Sequence, residues 1–197
     1  LGMSGGIDSA ISAAIAVDAL GADAVHCVMM PSIYTSRQSL DDAAACCALL
    51  GVSLDTIPIK GPVDEFENLL ATHLTAGTPG VVHENIQSRT RGLILMALSN
   101  ANGKMVLATG NKSENATGYA TLYGDMCGGF NAIKDIYKTE IFAMARWRNG
   151  AKPDHGFGPD GQVIPDEIVI RHPTAELKPG QRDEDTLPPY SQLDDIL

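Results

Sequence analysis

Short apolar runs alternate with helical segments along most of this chain, and this alternation constrains the fold more than any other feature. Strand-like runs occupy residues 25–30, 54–59 and 105–109, and helical patterns occupy 10–20, 40–50, 64–74, 84–100 and 136–148, with a short helix within 187–197. Strands that alternate with helices form parallel β-α-β units. The sequence therefore predicts an α/β fold with a doubly wound, mainly parallel sheet and helices on both faces. Within the long helix, residues 93–98 are apolar all round, which predicts burial.

Length, charge and cysteine content narrow the class of protein. The 197 residues fit one domain, and the net charge of −10 comes without any Lys/Arg-rich run, which argues against a nucleic-acid partner. No apolar run approaches the roughly 18 residues of a membrane span. The four cysteines lack C-x-x-C spacing, which favours free thiols over structural zinc. We therefore expect a cytoplasmic protein with no membrane partner.

Ser4-Gly5-Gly6-Ile7-Asp8-Ser9 lies between a strand end and a helix start. Glycines let the backbone approach phosphate oxygens, and a helix N-terminus offers unpaired N–H groups with a positive dipole end. An acid in such a loop becomes useful when Mg²⁺ bridges it to the phosphates. The loop has neither the lysine and spacing of a P-loop NTPase nor the G-x-G-x-x-G of a dinucleotide fold. It predicts a phosphate site of another kind.

The pattern S-G-G-x-D-S resembles the signature of the PP-loop ATP pyrophosphatase superfamily, which has an adenine nucleotide α-hydrolase-like fold. Its members split ATP between the α and β phosphates. They include NAD, GMP and asparagine synthetases and tRNA-thiolating enzymes. The loop alone indicates the superfamily and leaves the member open.

Three later segments resemble the NAD synthetases, especially the glutamine-dependent bacterial kind. They run from Leu107 to Glu114 (L-A-T-G-N-K-S-E), from Gly118 to Asp125 (G-Y-A-T-L-Y-G-D) and from Gly128 to Thr139. The resemblance implies a ligase that uses ATP to amidate deamido-NAD to NAD through an acyl-adenylate, releasing AMP and pyrophosphate. Two alternatives stay open: another PP-loop amidotransferase of the GMP synthetase type, or a non-catalytic adenine-nucleotide-binding domain.

The resemblance also implies the residues on the ATP side. Asp8 and Glu114 match the two carboxylates that bind Mg²⁺, and Lys138 matches a lysine that contacts the phosphates; these three are the expected catalytic residues. The expected ATP contacts are Gly2, Met3, Ser4, Gly5, Gly6, Ile7, Asp8, Ser9, Met29, Thr109, Lys138 and Thr174. Met29 stands where simpler family members have an arginine, which suggests an apolar or backbone contact with the base.

On the substrate side, Arg89 matches an arginine that binds deamido-NAD, with Asn85, Asp125 and Lys134 as further expected contacts. Asn85 and Arg89 share a helical face at i, i+4, whereas Arg91 points nearly opposite and is expected to serve structure. Leu122 stands where ammonia-dependent members have a substrate-binding lysine.

Two expectations concern the protein as a whole. Leu1-Gly2-Met3 has the pattern of a strand end, so we expect residues 1–197 to be the synthetase domain of a longer chain. The resemblance to glutamine-dependent members implies that a nitrilase-like N-terminal glutaminase domain supplies the ammonia. Ammonia could also be taken up directly. The resemblance further implies a homo-oligomer, a dimer or larger.

Overall fold

The computed structural model describes residues 1–197, which form eight α-helices and two regular strands. The strands are β1 (His26–Met29) and β2 (Ser53–Thr56). The helices are α1 (Ile7–Leu20), α2 (Arg37–Leu50), α3 (Lys60–Leu69), α4 (Gly80–Asn102), α5 (Lys112–Thr117), α6 (Lys138–Gly150), α7 (Asp166–Ile170) and α8 (Tyr190–Ile196). Single 3₁₀ turns occur at Ala22–Ala24 and Asp183–Asp185.

Every strand pairing in the fold is parallel. β1 and β2 pair from His26↔Ser53 to Met29↔Thr56. On the other side of β1, the opening residues form a parallel bridge between Gly2 and Val28. The run predicted as a strand at 105–109 pairs through one parallel bridge, Leu107 to Phe130. The α/β prediction is confirmed, although the regular strands are shorter than the apolar runs suggested.

Residues of β1 and its continuation alternate between two apolar clusters. Cys27 and Met29 belong to the larger cluster, together with residues of α1, α2 and α6. Val28 and Met30 belong to a smaller cluster with residues of α3 and α4. Because successive strand side chains point to opposite faces, this division places helices on both faces of the sheet, as predicted.

The prediction that residues 93–98 are buried all round is wrong. Leu93 and Met96 are 61% and 39% exposed. Only one face of α4 packs against the small cluster, through Ile94, Leu95 and Leu98. The opposite face is apolar and open.

Two helix bounds also differ from the sequence prediction. α3 begins at Lys60 and ends at Leu69, several residues before the predicted range at both ends. α4 is longer than predicted, from Gly80 to Asn102. α5 and α7 were not predicted, since six and five residues are too few for a helical period to show.

A buried ion pair fastens the irregular connection that follows α6. The guanidinium of Arg148 donates to Asp18 on α1, with Nε to Oδ2 at 2.7 Å and Nη2 to Oδ1 at 2.9 Å. The same guanidinium donates to the carbonyl oxygens of Pro159 and Gly161. One arginine therefore joins α6, α1 and the connection.

Two further features concern the cysteines and the helix lengths. All four cysteines are free thiols, three of them buried and Cys127 half-buried. None of the helices combines the length and apolarity needed to cross a bilayer.

Candidate active site

The phosphate loop is held in shape by its own serines. The Oγ atoms of Ser4 and Ser9 lie 3.1 Å apart, and Ser4 Oγ accepts a hydrogen bond from the Gly6 amide. Gly5 has a φ of +82°, and a Cβ there would collide with the carbonyl oxygen of Ser39 on α2. α1 begins at Ile7 without a side-chain cap, so its first N–H groups are free to bind an anion.

This loop forms one wall of a cleft of about 390 Å³. The lining includes every residue that the resemblance assigned to ATP: Gly2, Met3, Ser4, Gly5, Gly6, Ile7, Asp8, Ser9, Met29, Thr109, Lys138 and Thr174. They come from five separate parts of the chain. The fold therefore brings the predicted ATP set together in one concave site, the usual setting for a nucleotide.

Three charged side chains meet within this cleft. Lys138 Nζ lies 2.5 Å from Asp8 Oδ2 and 3.2 Å from Glu114 Oε1. The lysine side chain is only 3% exposed, and the two carboxylates are 17% and 16% exposed. Two acids from the first turns of α1 and α5 thus share one positive charge in a largely desolvated place.

Burial and mutual repulsion perturb these groups. Burial, together with the charge of Asp8, raises the pKa of Glu114 to about 7 even though Lys138 opposes the shift. For Lys138, burial lowers the pKa, but the two carboxylates outweigh it and hold the pKa above its usual value. Groups perturbed in this way by burial and by a specific charge partner are characteristic of functional sites.

A buried asparagine sets the geometry of both carboxylates. Asn111 Nδ2 donates to Asp8 Oδ1 at 2.8 Å. Its Oδ1 accepts the amide of Glu114, while Glu114 Oε2 accepts the amide of Asn111. This capping box starts α5 and orients Glu114. The spacing of the Asn and Glu in G-N-K-S-E was a sequence signal for this helix, although the role of Asn111 was not predicted.

The residues predicted for the substrate side divide into two groups. Asn85 and Asp125 line the cleft, where Asp125 Oδ1 accepts from Ser88 and from the Thr121 amide. Arg89 and Lys134 are exposed and do not line it. Arg89 donates to the Leu122 carbonyl, and Lys134 pairs with its neighbour Asp135.

Arg91, which was expected to serve structure, also lines the cleft. Its Nε donates to the Met30 carbonyl at 3.0 Å. Burial lowers its pKa to about 10, against the charge of Glu176. Because a guanidinium stays charged even so, Arg91 supplies a positive charge to the cleft wall.

The C-terminal part of the chain contributes a buried acid that was not predicted. Asp183 lines the cleft and is 4% exposed. Its Oδ1 accepts from Tyr119 and its Oδ2 from Tyr190 on α8. Burial raises the pKa of Asp183, while the charge of Lys138 opposes the shift. No local motif marks this residue, because its partners are distant in sequence.

Comparisons with known proteins identify the family of this chain. The NAD synthase family model matches residues 1–197. The chain is 58% identical to a glutamine-dependent NAD(+) synthetase of Rhodobacter capsulatus and 48% identical to that of Thermotoga maritima, in each case over all of this chain and over 36% and 33% of the relative. The chain therefore spans about a third of the length of these curated relatives.

Solved structures give the same result. A glutamine-dependent NAD+ synthetase of Acinetobacter baumannii, in complex with adenosine diphosphate, is 45% identical with a TM-score of 0.81, over 89% of this chain and 32% of that one. An NMN synthetase of Francisella tularensis is 28% identical with a TM-score of 0.83, over 99% and 74% of the two chains. The phosphate loop, the carboxylate pair and the whole-length match together place this chain in the NAD synthase family.

Proposed function

We propose that this chain catalyses the ATP-dependent amidation of deamido-NAD to NAD. The observation that carries the proposal is the meeting of Asp8, Glu114 and Lys138 beside a phosphate loop inside one cleft. Membership of the NAD synthase family supplies the reaction type. The site has the charges needed to bind a polyphosphate and to stabilise its departure.

In the first step, a nicotinate carboxylate oxygen attacks the α-phosphorus of ATP, and the bond between this phosphorus and the bridging oxygen breaks. Pyrophosphate leaves with the electron pair, and an acyl-adenylate remains. Lys138 places a fixed positive charge where negative charge gathers on the leaving group. The free N–H groups of α1 and the serines of the loop position the phosphates.

Asp8 and Glu114 fit a divalent cation. They already converge on one positive charge, and burial makes their joint ionisation unfavourable, which a dication would relieve. No third acid, histidine or cysteine joins them, so phosphate oxygens and water would supply the remaining ligands of Mg²⁺. When bound, Mg²⁺ would neutralise charge on the phosphates.

In the second step, ammonia attacks the activated carbonyl carbon, the carbon–oxygen bond to AMP breaks, and the nitrogen loses a proton. No side-chain nucleophile is required. We propose that the ammonia comes from a separate glutaminase domain of a longer protein, since the named relatives are glutamine-dependent and about three times as long as the chain.

The test is to incubate the chain with Mg-ATP, deamido-NAD and either ammonium or glutamine, and to measure AMP and NAD. Ammonium should support NAD synthesis and glutamine should not. Synthesis driven by glutamine alone would refute the separate source of ammonia. Absence of AMP formation with either nitrogen source, in protein shown to be folded and to bind ATP, would instead favour a non-catalytic nucleotide-binding domain.

Two carboxamide variants test the metal ligands. Asp8→Asn and Glu114→Gln should each abolish AMP formation, because an amide cannot neutralise a cation. The matched controls are Asp195→Asn and Glu65→Gln, which replace exposed acids outside the cleft, and both variants should keep the activity of the unaltered chain. Unchanged turnover in either site variant would remove that residue from the metal site.

The structural likeness to an NMN synthetase favours one alternative substrate. The same assay should therefore include nicotinate mononucleotide beside deamido-NAD. We expect kcat/KM to favour deamido-NAD, and a preference for the mononucleotide would change the substrate while keeping the chemistry. Xanthylate serves as the third substrate and tests a GMP synthetase-like activity.

We further propose that the chain forms a homo-oligomer through the open face of α4. Leu93 and Met96 are exposed there, beside a loop in which Leu122 and Tyr123 are 56% and 72% exposed. The loop packs directly on α4, since Arg89 donates to the Leu122 carbonyl. Contiguous apolar surface of this kind marks protein interfaces. Leu93→Asp should shift the mass measured by light scattering to that of a monomer.

A further inference from the structure

The last helix of the chain packs against both elements that carry the charged site. α8 lies against α5, which holds Glu114, and against α6, which begins with Lys138. Its inward face carries Tyr190 and Leu193, each 6% exposed, and beside them Asp194. Residues three and four apart share one face of a helix, so these side chains act on the same neighbours.

Asp194 makes three hydrogen bonds, all to residues far away in sequence. Its Oδ1 accepts from Ser113 Oγ at 2.5 Å. Its Oδ2 accepts from the Thr139 amide and the Thr139 hydroxyl, both at 2.8 Å. The carboxylate therefore bridges the first turn of α5 and the first turn of α6.

The N-terminus of α6 depends on these distant partners. The first N–H groups of a helix have no acceptor within the helix, and Tyr137 offers no side-chain cap hydrogen bond. The Lys138 amide donates to Ser113 Oγ instead, and the Thr139 amide donates to Asp194. A negative charge at this end is also favoured by the helix dipole.

Both residues that Asp194 binds are direct neighbours of the charged site. Ser113 precedes Glu114, and Thr139 follows Lys138. A shift of either helix start would move a carboxylate or an ammonium whose contacts are 2.5 Å and 3.2 Å long. Asp194 touches none of the reacting groups, so any effect on the reaction must pass through these two neighbours.

A second contact from the same helix reaches the site. The ring of Tyr190 lies 5.2 Å from Lys138 Nζ, within cation–π range, and its hydroxyl donates to Asp183 Oδ2 at 3.0 Å. α8 therefore touches the lysine from one side while Asp194 holds the backbone from which that lysine extends.

We propose that Asp194 is a positioning residue for the amidation reaction: through Ser113 and Thr139 it fixes Glu114 and Lys138 relative to each other. This inference rests on the proposed function. The physical reason is that catalysis by positioning and charge is sensitive to displacements of about 1 Å. A site assembled from the first turns of two helices needs support that neither turn contains.

The decisive variant is Asp194→Asn in the full chain. The amide keeps the shape but loses the negative charge at the start of α6, and its single oxygen can face only one side, so either the Ser113 hydroxyl or the Thr139 amide loses its acceptor. We expect kcat to fall on the order of 10- to 100-fold, with KM for deamido-NAD changed by less than about threefold. The matched control is Asp195→Asn, which makes the same change of charge at the exposed neighbour and should keep kcat within about twofold.

A second pair of variants keeps the test independent of folding. Thr139→Ser retains the hydroxyl that donates to Asp194 and should keep most of the activity, whereas Thr139→Val should lose about tenfold in kcat. Thermal unfolding followed by circular dichroism gives the stability of each variant. If Asp194→Asn does not fold, the comparison of Thr139→Val with Thr139→Ser tests the proposal.

Three results would overturn the proposal: a lower unfolding temperature for Asp194→Asn with unchanged kcat, an equal loss of kcat in Asp195→Asn, or equal activity of the two Thr139 variants. If the unaltered chain forms no AMP, the proposed function fails. The positioning role is then tested by measuring Mg-ATP binding with calorimetry. Binding should be at least about tenfold weaker in Asp194→Asn than in the unaltered chain, and Asp195→Asn should bind like the unaltered chain. Equal binding by both Asp variants would refute it.

Discussion

Replacing Lys138 with methionine should destabilise the metal-free chain and should do so most strongly at alkaline pH. The lysine side chain is 3% exposed and compensates two carboxylates that are 17% and 16% exposed. Removing one partner of a buried ion pair costs about 3–5 kcal/mol, because an uncompensated charge stays behind. We therefore expect Lys138→Met to lower the free energy of unfolding by about that amount at pH 8 in EDTA.

The same loss should shrink on acidification. The pKa of Glu114 is already raised to about 7, and loss of the lysine raises it further. At pH 5.5 the Glu114 carboxyl is therefore protonated, and one of the two unbalanced charges disappears. The loss of unfolding free energy should be smaller at pH 5.5 than at pH 8 by at least about 1 kcal/mol. This difference corresponds to a change of less than one unit in the pKa of Glu114.

Urea denaturation at both pH values measures these free energies, and Lys134→Met is the control because that lysine is 64% exposed. The control should change stability by less than about 1 kcal/mol. A loss in Lys138→Met that is equal at pH 8 and pH 5.5, or no larger than in Lys134→Met, would refute the electrostatic reasoning. Added Mg²⁺ should restore part of the stability at pH 8.

Three further predictions concern Glu114, Asp18 and Arg89. Glu114→Gln should stabilise the metal-free chain by up to about 3 kcal/mol at pH 8 and leave its stability unchanged at pH 4.5. The pKa of Glu114 is raised from its usual 4.5 to about 7, so the carboxyl favours the folded state at low pH and loses that contribution as pH rises through about 7. A difference in unfolding free energy that does not vary with pH in urea denaturation contradicts this prediction. Asp18→Asn should lower the free energy of unfolding by about 3–5 kcal/mol, because it leaves the Arg148 guanidinium buried and unpaired. The KM for ATP should stay unchanged. The exposed control Asp23→Asn should not change the unfolding free energy in the same denaturation experiment. Arg89→Ala should weaken deamido-NAD binding by about 10- to 150-fold, which is the contribution of a charge-assisted hydrogen bond, and should leave ATP affinity unchanged. Calorimetry measures both affinities. If Arg91→Ala loses deamido-NAD affinity and Arg89→Ala does not, the substrate contact belongs to the arginine inside the cleft.

The phosphate loop and its helix were predictable because the information is local. Six consecutive residues from Ser4 to Ser9 carry the glycines, the serines and the acid, and the apolar run before Gly21 ends where α1 ends. The later motif around Glu114 identified the second carboxylate. Its helix α5 was missed, although Asn111 and Glu114 have the spacing of a capping box.

Other parts of the site depend on contacts that no short segment contains. The helical pattern shows that Arg89 and Arg91 lie on different faces of α4, but it does not show which face meets the cleft. The packing of α4 against the sheet decides this. Asp183 and Asp194 acquire their roles from partners on distant elements. The sequence predicts that the face of α4 around Leu93 is buried, because apolar composition alone does not distinguish a helix face in the core from an apolar face at the surface of the chain.

The lysine between the two acids has a consequence for the site between turnovers. A cleft whose only counter-ion was a diffusing metal would be left with two repelling charges each time product departed. Here one counter-ion is a covalent part of the chain, and it lies within 3.2 Å of both acids. Lys138 therefore balances one of the two carboxylate charges permanently, so a departing cation leaves one unbalanced charge behind and not two.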